Sequence, residues 1–220
     1  MIQFHRECKA YAILSGQKIG YRDLFPILND KTDETPIGYY FYQDTWAFHK
    51  IAAAHPACHV DVGSTALLVG CLAGILPTVS IDIRPLNVSL LGLTHLRGSI
   101  VDLPFEDDSV ESLSSLCVVE HIGLGRYGDP LDPSGSVRAG RELSRVLRSG
   151  GSLYVSLPMG KESKTIFNAH RIFSVGDALA LFPDLLLVEH VFVGNNGRLS
   201  SLDATEESDF PVGLFHLIKR

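Results

Sequence analysis

The chain has 220 residues, of which 45% are hydrophobic and 20% charged, and its formal net charge at pH 7 is −6. This length fits one folded domain with a complete hydrophobic core, or one domain with a short cap. The negative net charge gives no electrostatic reason to expect a nucleic-acid partner.

The spacing of the cysteines and the length of the apolar runs predict the cellular location of the protein. The four cysteines show no CxxC pairing and no disulfide-framework spacing, so a reduced, cytoplasmic protein without a secretion leader is expected. Cys71 and Cys117 lie in apolar runs, where a free thiol is usually a small core residue. The longest apolar run, residues 66–76, ends at Pro77 and is too short to span a bilayer, so no membrane insertion is expected.

Residues 1–58 differ in composition from the rest, because aromatic side chains crowd the segment 39–48. Apolar residues there recur at helical spacing, which predicts a helix over 42–55 that ends before Pro56. We predict that residues 1–58 form an N-terminal helical and aromatic cap segment. Packing against the main domain is the favoured role of the aromatic side chains, and covering a substrate site is the alternative.

From residue 59 onward, predicted strands and helices alternate. The predicted strands are 59–63, 78–82, 95–101, 113–119, 152–157, 185–193 and 213–218. The predicted helices are 65–76, 136–148 and 174–182, with Gly150 as a left-handed stop after the second. Five strands linked largely through helices, then two strands without a helix between them, predict an open α/β sheet. Its five parallel strands are followed by a C-terminal antiparallel hairpin.

Polar residues follow these strands at the sheet edge where ligands bind in such folds. Asp61 and Gly63 close the first strand, and the glycine permits a sharp turn and close approach of a ligand. Asp82 ends the next strand, where a carboxylate can accept hydrogen bonds from the two hydroxyls of a ribose. A helix cap or a turn is the equally weighted alternative for Asp82.

A glycine-rich loop at residues 123–133 follows the fourth predicted strand. Six residues on this loop and after the fifth strand are candidate substrate contacts: Arg126, Tyr127, Asp129, Asn168, His170 and Arg171. A tight structural loop is the alternative. No ligand spacing supports a metal site in this region, and none is expected.

The order of these pieces resembles the class I S-adenosylmethionine-dependent methyltransferases. Residues 61–63 (DVG) resemble the start of their first motif, and Asp82 resembles their ribose-binding acid. Residues 98–109 (GSIVDLPFEDDS) are similar to their third-strand segment, and 119–122 (VEHI) to the end of their fourth strand. Residues 141–151 (RELSRVLRSGG) are similar to the helix and turn before the fifth strand.

The resemblance covers residues 59–220 and implies a methyltransferase-like domain with the Rossmann-like sheet of class I methyltransferases. Three segments look more narrowly like the DUF268 branch of that superfamily, a branch that implies no particular substrate. These segments are 61–64 (DVGS), 123–133 (GLGRYGDPLDP) and 167–173 (FNAHRIF).

Two departures from the family pattern concern the cofactor. Thr65 and Leu67 stand where two further glycines are usual, so the backbone is not expected to approach the cofactor's amino-acid end in the usual way. Ser99 stands where an Asp normally contacts the adenine, and Asp102 either replaces that acid or caps a turn. Cofactor binding is therefore either rebuilt from other residues or lost.

The resemblance implies S-adenosylmethionine as cofactor and S-adenosylhomocysteine as product. The implied cofactor-binding residues are Asp61, Gly63, Ser64, Asp82, Ile83, Ser99, Ile100, Asp102 and Cys117. Methyl transfer to an alcohol would need alignment and a base within hydrogen-bond reach. His121 is the candidate base because its ordinary pKa lies near neutral pH, and Glu120 is expected to orient it or to contact the cofactor. A structural hydrogen bond is the alternative role for His121.

The sequence thus predicts an S-adenosylmethionine-dependent methyltransferase that acts on a small polar or glycan-related acceptor. The missing glycines motivate the alternative, a catalytically silent methyltransferase-like binding or scaffold module. A nicotinamide-dependent dehydrogenase is less favoured, because that fold also needs a glycine-rich first turn and usually lacks the final hairpin. A small-molecule or glycan-linked substrate is the expected partner, and self-association as a homo-oligomer is left open.

Overall fold

The computed structural model describes residues 1–26, 37–194, 199–200 and 211–220. The chain divides into two compact units, Met1–Ile37 and Gly38–Arg220. The first unit contains helix α1 (Ile2–Ser15) and a 3₁₀ turn at Tyr21–Asp23. The predicted cap boundary at residue 58 stays a prediction. None of the helices in the described part of the chain combines the length and apolarity needed to cross a membrane.

The second unit carries the sheet and the remaining helices. Its helices are α2 (Tyr39–Ala54), α3 (Ala66–Ala73), α4 (Gly135–Val146) and α5 (Val175–Ala180). Its strands are β1 (His59–Val62), β2 (Thr78–Asp82), β3 (Leu93–Arg97), β4 (Val110–Leu116), β5 (Leu147–Pro158), β6 (Lys164–Ile166), β7 (His170–Ile172), β8 (Leu185–Val193), β9 (Leu199–Ser200) and β10 (Val212–Lys219). Between the last two predicted strands, residues 195–198 and 201–210 lie outside the described part of the chain.

The strands form one mixed sheet in the order β3-β2-β1-β4-β5-β10-β8-β9, and β6 pairs with β7 in a separate hairpin. Strands β3, β2, β1, β4 and β5 are parallel, and β10 is antiparallel to both β5 and β8. This confirms the predicted architecture. The strand order reverses between β1 and β4, and ligands of such sheets bind in the crevice at that switch point.

Helices cover the sheet on both faces. Residues of α2 and α3 share one core cluster, and residues of α4 and α5 belong to the other. Tyr154 on β5 faces the α2 side, where its ring packs against that of Trp46 at 6.1 Å. Its neighbours Leu153 and Val155 face the α4 side, as strand alternation requires. Burial on both faces explains the nearly continuous apolar runs of the strands, and the favoured packing role is confirmed for Trp46.

Strand β4 ends earlier than the predicted boundary at residue 119. The chain leaves the sheet at Cys117, whose backbone takes the left-handed conformation with φ 52°. Residues Val119–His121 then form a 3₁₀ turn. Glu120 and His121 therefore lie on a turn beyond the sheet edge and not on the strand itself.

Two further expectations are wrong. Helix α4 ends at Val146 and continues directly into β5 through an extended Leu147, so Gly150 does not cap it. Gly150 does have φ 70°, but it lies within β5, where the register with β4 shifts. Cys71 is exposed on α3 and is not a core residue.

The loop between β4 and α4 folds back on itself. The Gly123 carbonyl accepts a hydrogen bond from the Asp132 N–H at 2.9 Å. Gly123 has φ 81°, and a Cβ at this position would lie 2.0 Å from the Asp132 carbonyl oxygen. Gly128 also has a positive φ, 85°, but a Cβ there would meet no atom within 4 Å. Only the first glycine is required by close packing.

Replacing each of these two glycines with alanine distinguishes the stability lost through steric overlap from the stability lost through backbone strain. We expect Gly128→Ala to cost about 1–2 kcal/mol, the penalty of a left-handed non-glycine residue. Gly123→Ala should cost about 2–3 kcal/mol more, because the loop must open to admit the methyl group. Urea denaturation of both variants measures the difference. Equal losses would show that the loop tolerates the methyl group.

Candidate functional site

Two cavities of about 400 Å³ each lie at the carboxyl ends of the parallel strands. The β2-side cavity is lined by residues that include Asp82, Ile83, Ser99 and Ile100. The α2-side cavity is lined by residues that include Tyr39, Tyr40, Ser64, Glu120, Arg126 and His170. Four residues line both cavities: Gly63, Cys117, His121 and Tyr127. The cavities are therefore adjacent and meet at the switch point of the sheet.

Gly63 shapes the turn between β1 and α3 where the cavities meet. It has φ 75°, and a Cβ here would lie 3.2 Å from both methyl carbons of Val118 and 3.8 Å from Asp82 Oδ2. Any side chain would therefore be strained and would crowd the passage between the two cavities. Gly63 lies at the junction of the two cavities, and its contact with a ligand stays a prediction.

Asp61 lies beneath this turn, fully buried, and is not among the described residues that line either cavity. Its Oδ2 accepts a hydrogen bond from the Ser114 hydroxyl at 2.5 Å, and its Oδ1 accepts the Ser64 N–H at 3.0 Å. Burial raises the pKa of Asp61 to about 6, against the opposing effect of these hydrogen bonds. Asp61 therefore holds the turn from inside.

His59 extends this buried polar network and was missed by sequence reasoning. Its ring nitrogens lie 2.8 Å from Ser112 Oγ and 2.9 Å from Ser114 Oγ. With Asp61 ionised, Ser114 donates its single proton to that carboxylate, so His59 Nε2–H donates to Ser114 and Nδ1 accepts from Ser112. Burial lowers the pKa of His59 to about 3, which keeps the ring neutral.

The two residues that replace the usual glycines do not fill the turn. The Thr65 hydroxyl donates to Asp44 Oδ2 at 2.6 Å, and its oxygen accepts the Leu68 N–H at 3.2 Å as the N-cap of α3. The Leu67 side chain is 75% exposed. Thr65 therefore ties the turn to helix α2, and Leu67 points its bulk to solvent.

Of the two acids that the sequence offers as contacts for a nucleoside, Asp82 and Asp102, only Asp82 lines a cavity. Its Oδ1 accepts the Arg84 N–H at 2.7 Å. Ser99 lines the same β2-side cavity, whereas Asp102 is exposed and is not among its described lining residues. The Asp102 N–H instead closes a turn onto the Ser99 carbonyl at 3.0 Å.

His121 is held by a partner that the sequence did not indicate. Its Nδ1 lies 2.7 Å from the Ala169 carbonyl oxygen and must donate to it, which leaves Nε2 with a free lone pair. Burial lowers the pKa of His121, so the ring is neutral at pH 7. The contact with Glu120 is 3.7 Å, too long for a hydrogen bond, so Ala169 and not Glu120 orients the ring.

Glu120 is nearly inaccessible, at 1% exposure. Its Oε2 has no hydrogen-bond partner among the described residues. Burial raises the pKa of Glu120 to about 8, although the Cys117 side chain and the charge on Arg126 lower it. The carboxyl is therefore mostly protonated at neutral pH, beside a neutral His121.

Cys117 is fixed by helix α2. Its thiol donates to Gln43 Oε1 at 3.0 Å, and the Ser156 hydroxyl donates to the same oxygen at 2.7 Å. Gln43 is completely buried. This amide connects α2 to the ends of β4 and β5, and sequence reasoning did not single it out.

Tyr127 on the glycine-rich loop lines both cavities. The guanidinium groups of Arg84 and Arg126 both lie over its ring, at 4.7 and 5.1 Å from the ring centre. The edge of the ring meets His121 at 5.6 Å. Arg126 also donates to the Ala169 carbonyl at 2.9 Å. The loop is thus anchored over the junction of the cavities.

Of the other candidate substrate contacts, some line a cavity and others only hold the loop or lie away from both cavities. Asp129 lines the β2-side cavity, but its carboxylate accepts the N–H groups of Gly123 and Tyr127 at 2.6 and 3.3 Å. Burial alone would raise the pKa of Asp129, and these hydrogen bonds outweigh it and lower the pKa. Asn168 is exposed and is not among the described lining residues of either cavity.

Arg171 supports the loop and is not among the described lining residues either. Its guanidinium donates to the Ile122 carbonyl at 2.6 Å, to Ser136 Oγ at 3.1 Å and to the Asp132 carbonyl at 3.2 Å. These contacts occupy the side chain. Although Arg171 lies near the sheet edge where substrate contacts were predicted, its side chain stabilises the loop between β4 and α4.

Comparison with known families finds one match over part of the chain. Residues 105–188 match the family described as "Caenorhabditis protein of unknown function, DUF268". The resemblance to DUF268 is confirmed over those residues. A comparison with curated protein sequences finds no significant match.

Solved structures with the same fold include several methyltransferases. The N-methyltransferase NodS of Bradyrhizobium japonicum WM9, solved with S-adenosyl-L-homocysteine, has a TM-score of 0.58 at 13% identity, with 85% of this chain and 89% of NodS covered. A Haloferax volcanii complex of the Trm112 methyltransferase activator with a candidate methyltransferase has a TM-score of 0.54 at 17% identity. The match covers 81% of this chain and 91% of that chain. The [4+2]-cyclase SpnF has a TM-score of 0.56 at 14% identity, and the match covers 80% of each chain. These similarities show the class I methyltransferase fold.

The scaffold role of Arg171 can be tested against a neighbouring arginine. Arg171→Met removes the hydrogen bonds to the Ile122 and Asp132 carbonyls and to Ser136 Oγ, and should lower the free energy of unfolding by about 2–3 kcal/mol. Arg138 also contacts Asp132, in a pair at 3.1 Å, but its side chain is 57% exposed. Arg138→Met should therefore cost less than about 1 kcal/mol. Urea denaturation measures both, and equal effects would contradict the assignment.

Proposed function

We propose that this protein is an S-adenosylmethionine-dependent methyltransferase acting on a small polar acceptor. The observation that carries the proposal is the pair of cavities that meet at Gly63 and His121. A cofactor with its nucleoside in the β2-side cavity, and an acceptor in the α2-side cavity beside the cofactor's amino-acid end, would have their reacting atoms at that junction. His121 Nε2, with its free lone pair, lies beside it.

The residues of the β2-side cavity fit the nucleoside part of the cofactor. Asp82 is available to accept hydrogen bonds from ribose hydroxyls, and Ile83 and Ile100 supply apolar contacts for the adenine. Ser99 lies beside them in place of the usual acid. The absence of a side chain at Gly63 leaves a path from there into the α2-side cavity. When bound, S-adenosylmethionine supplies a methyl group that its sulfonium makes electrophilic.

The chain's own residues supply positioning, proton removal and exclusion of water. We infer that His121 Nε2 takes the proton of an acceptor hydroxyl while Nδ1 stays bonded to the Ala169 carbonyl. Tyr127 lines both cavities, and we infer that its ring shields the reacting atoms from water when the ligands are bound. The α2-side cavity combines the tyrosines 39 and 40 with Arg126 and His170, a mixture suited to a polar, glycan-related acceptor.

A catalytically silent module is the second candidate, and the replacement of two motif glycines by Thr65 and Leu67 favours it. This candidate predicts a ligand site without turnover. We also propose the cytoplasm as the location, because all four cysteines are free thiols.

Binding of S-adenosylhomocysteine tests the nucleoside contacts. We expect titration calorimetry to give measurable binding to the wild type, and Asp82→Asn to weaken it roughly 10- to 100-fold through loss of charged hydrogen bonds to ribose. Asp102→Asn should leave the affinity unchanged, because Asp102 is exposed and lies outside the described lining of the cavity. No binding to the wild type would refute the proposed function. A loss confined to Asp102→Asn would reverse the roles of the two acids.

The proposed base can be tested by activity and pH. His121→Gln should reduce transfer of labelled methyl from S-adenosylmethionine into the small-molecule fraction of a cell extract roughly 10²- to 10⁴-fold. Wild-type activity should fall as the pH drops below the lowered pKa of His121, because the protonated ring cannot accept a proton. His49→Gln, at an exposed site on α2, is the control. Full activity of His121→Gln with an unchanged pH profile would exclude the base.

A further inference from the structure

One oxygen of the Glu120 carboxyl, Oε2, has no hydrogen-bond partner among the described residues, in a cavity where a ligand is expected. Buried polar atoms without a hydrogen-bond partner are rare in folded proteins and costly. Glu120 Oε2 is such an atom among the described residues, since Glu120 is only 1% exposed and Oε2 has no hydrogen-bond partner. Glu120 lines the α2-side cavity together with Ser64 and Thr65 of the turn after β1.

The described groups around Glu120 leave Oε2 without a partner. Burial raises the pKa of the carboxyl, and the Glu120 N–H and the Cys117 side chain oppose that effect, but the Cys117 thiol also donates to Gln43. The ring proton of His121 and an N–H of the Arg126 guanidinium are both donated to the Ala169 carbonyl. The Tyr39 hydroxyl bonds to Tyr40.

The position of Glu120 suits the amino-acid end of the proposed cofactor. With the ribose at Asp82, the rest of that molecule extends past Gly63 into the α2-side cavity. The turn that usually receives this end carries Thr65, whose hydroxyl is committed to Asp44. Among the described residues lining that cavity, Glu120 is the one carboxylic acid.

We propose that Glu120 binds the α-ammonium group of the cofactor's amino-acid end, and so replaces a contact that the altered glycine turn no longer provides. This inference rests on the proposed function. The sequence left two roles open for Glu120, orienting His121 or contacting the cofactor. The inference assigns the second.

Ionisation of Glu120 gives the inference a measurable consequence. Burial raises the pKa of Glu120 to about 8, so at pH 7 most molecules carry the proton on this carboxyl. An adjacent ammonium stabilises the ionised form and lowers the pKa. Binding at pH 7 should therefore release close to one proton, and the release should shrink as the pH rises above 8. His121 is already neutral at pH 7 and has no proton to lose.

The experiment is calorimetric titration of the full chain with S-adenosylhomocysteine at pH 7, in two buffers of different ionisation enthalpy. The difference in heat gives the number of protons released. The matched ligand is 5′-deoxy-5′-methylthioadenosine, which has the nucleoside and sulfur but no amino-acid end. Glu120→Gln removes the titrating group, and Glu106→Gln at an exposed site is the control.

We expect about one proton released with S-adenosylhomocysteine and none with methylthioadenosine, a comparison that needs only the wild type. Glu120→Gln should abolish the release and weaken S-adenosylhomocysteine roughly 10- to 100-fold, with methylthioadenosine affinity unchanged. Binding of S-adenosylhomocysteine without proton release, or release that persists in Glu120→Gln, would overturn the inference and leave the proposed function intact. If neither ligand binds, the proposed function fails as well.

Discussion

The buried hydrogen bond between Ser114 and Asp61 is the interaction on which the rest of the site depends. It joins β4 to β1 at the switch point of the sheet, and the other oxygen of Asp61 holds the Ser64 N–H. Together these bonds fix the turn that carries Gly63, and the two cavities meet at Gly63. Because His59 and Ser112 complete the chain of hydrogen bonds, each polar group of this network is satisfied in a region of low dielectric.

Helix α2 compensates for the altered glycine motif. Asp44 binds the hydroxyl of Thr65, and the neighbouring Gln43 binds both Cys117 and Ser156. Two consecutive residues of one helix therefore hold the ends of three neighbouring elements: the turn after β1, the end of β4 and the end of β5. A glycine in place of Thr65 would offer no side chain for Asp44 to bind.

The five parallel strands, the C-terminal antiparallel hairpin and the places of Gly63 and Asp82 at strand ends followed from sequence because they depend on local periodicity. The network around His59 did not, because its partner Ser114 lies 55 residues away, and Gln43 and Ser156 are 113 apart. The end of β4 was misplaced because Cys117, a non-glycine residue, takes a left-handed conformation. Arg171 has the chemistry of a substrate contact, and only its geometry shows that carbonyl oxygens occupy it.

The environments of Glu120 and His121 push their pKa values in opposite directions, upward for the acid and downward for the base. Both groups are therefore mostly uncharged at pH 7, although Glu120 Oε1 lies only 3.7 Å from His121 Nε2. Pairs separated in this way divide the roles of acid and base at enzyme sites. In the proposed complex, Glu120 is an anion paired with the ammonium group, so its charge is balanced locally and His121 stays the neutral acceptor that proton removal requires.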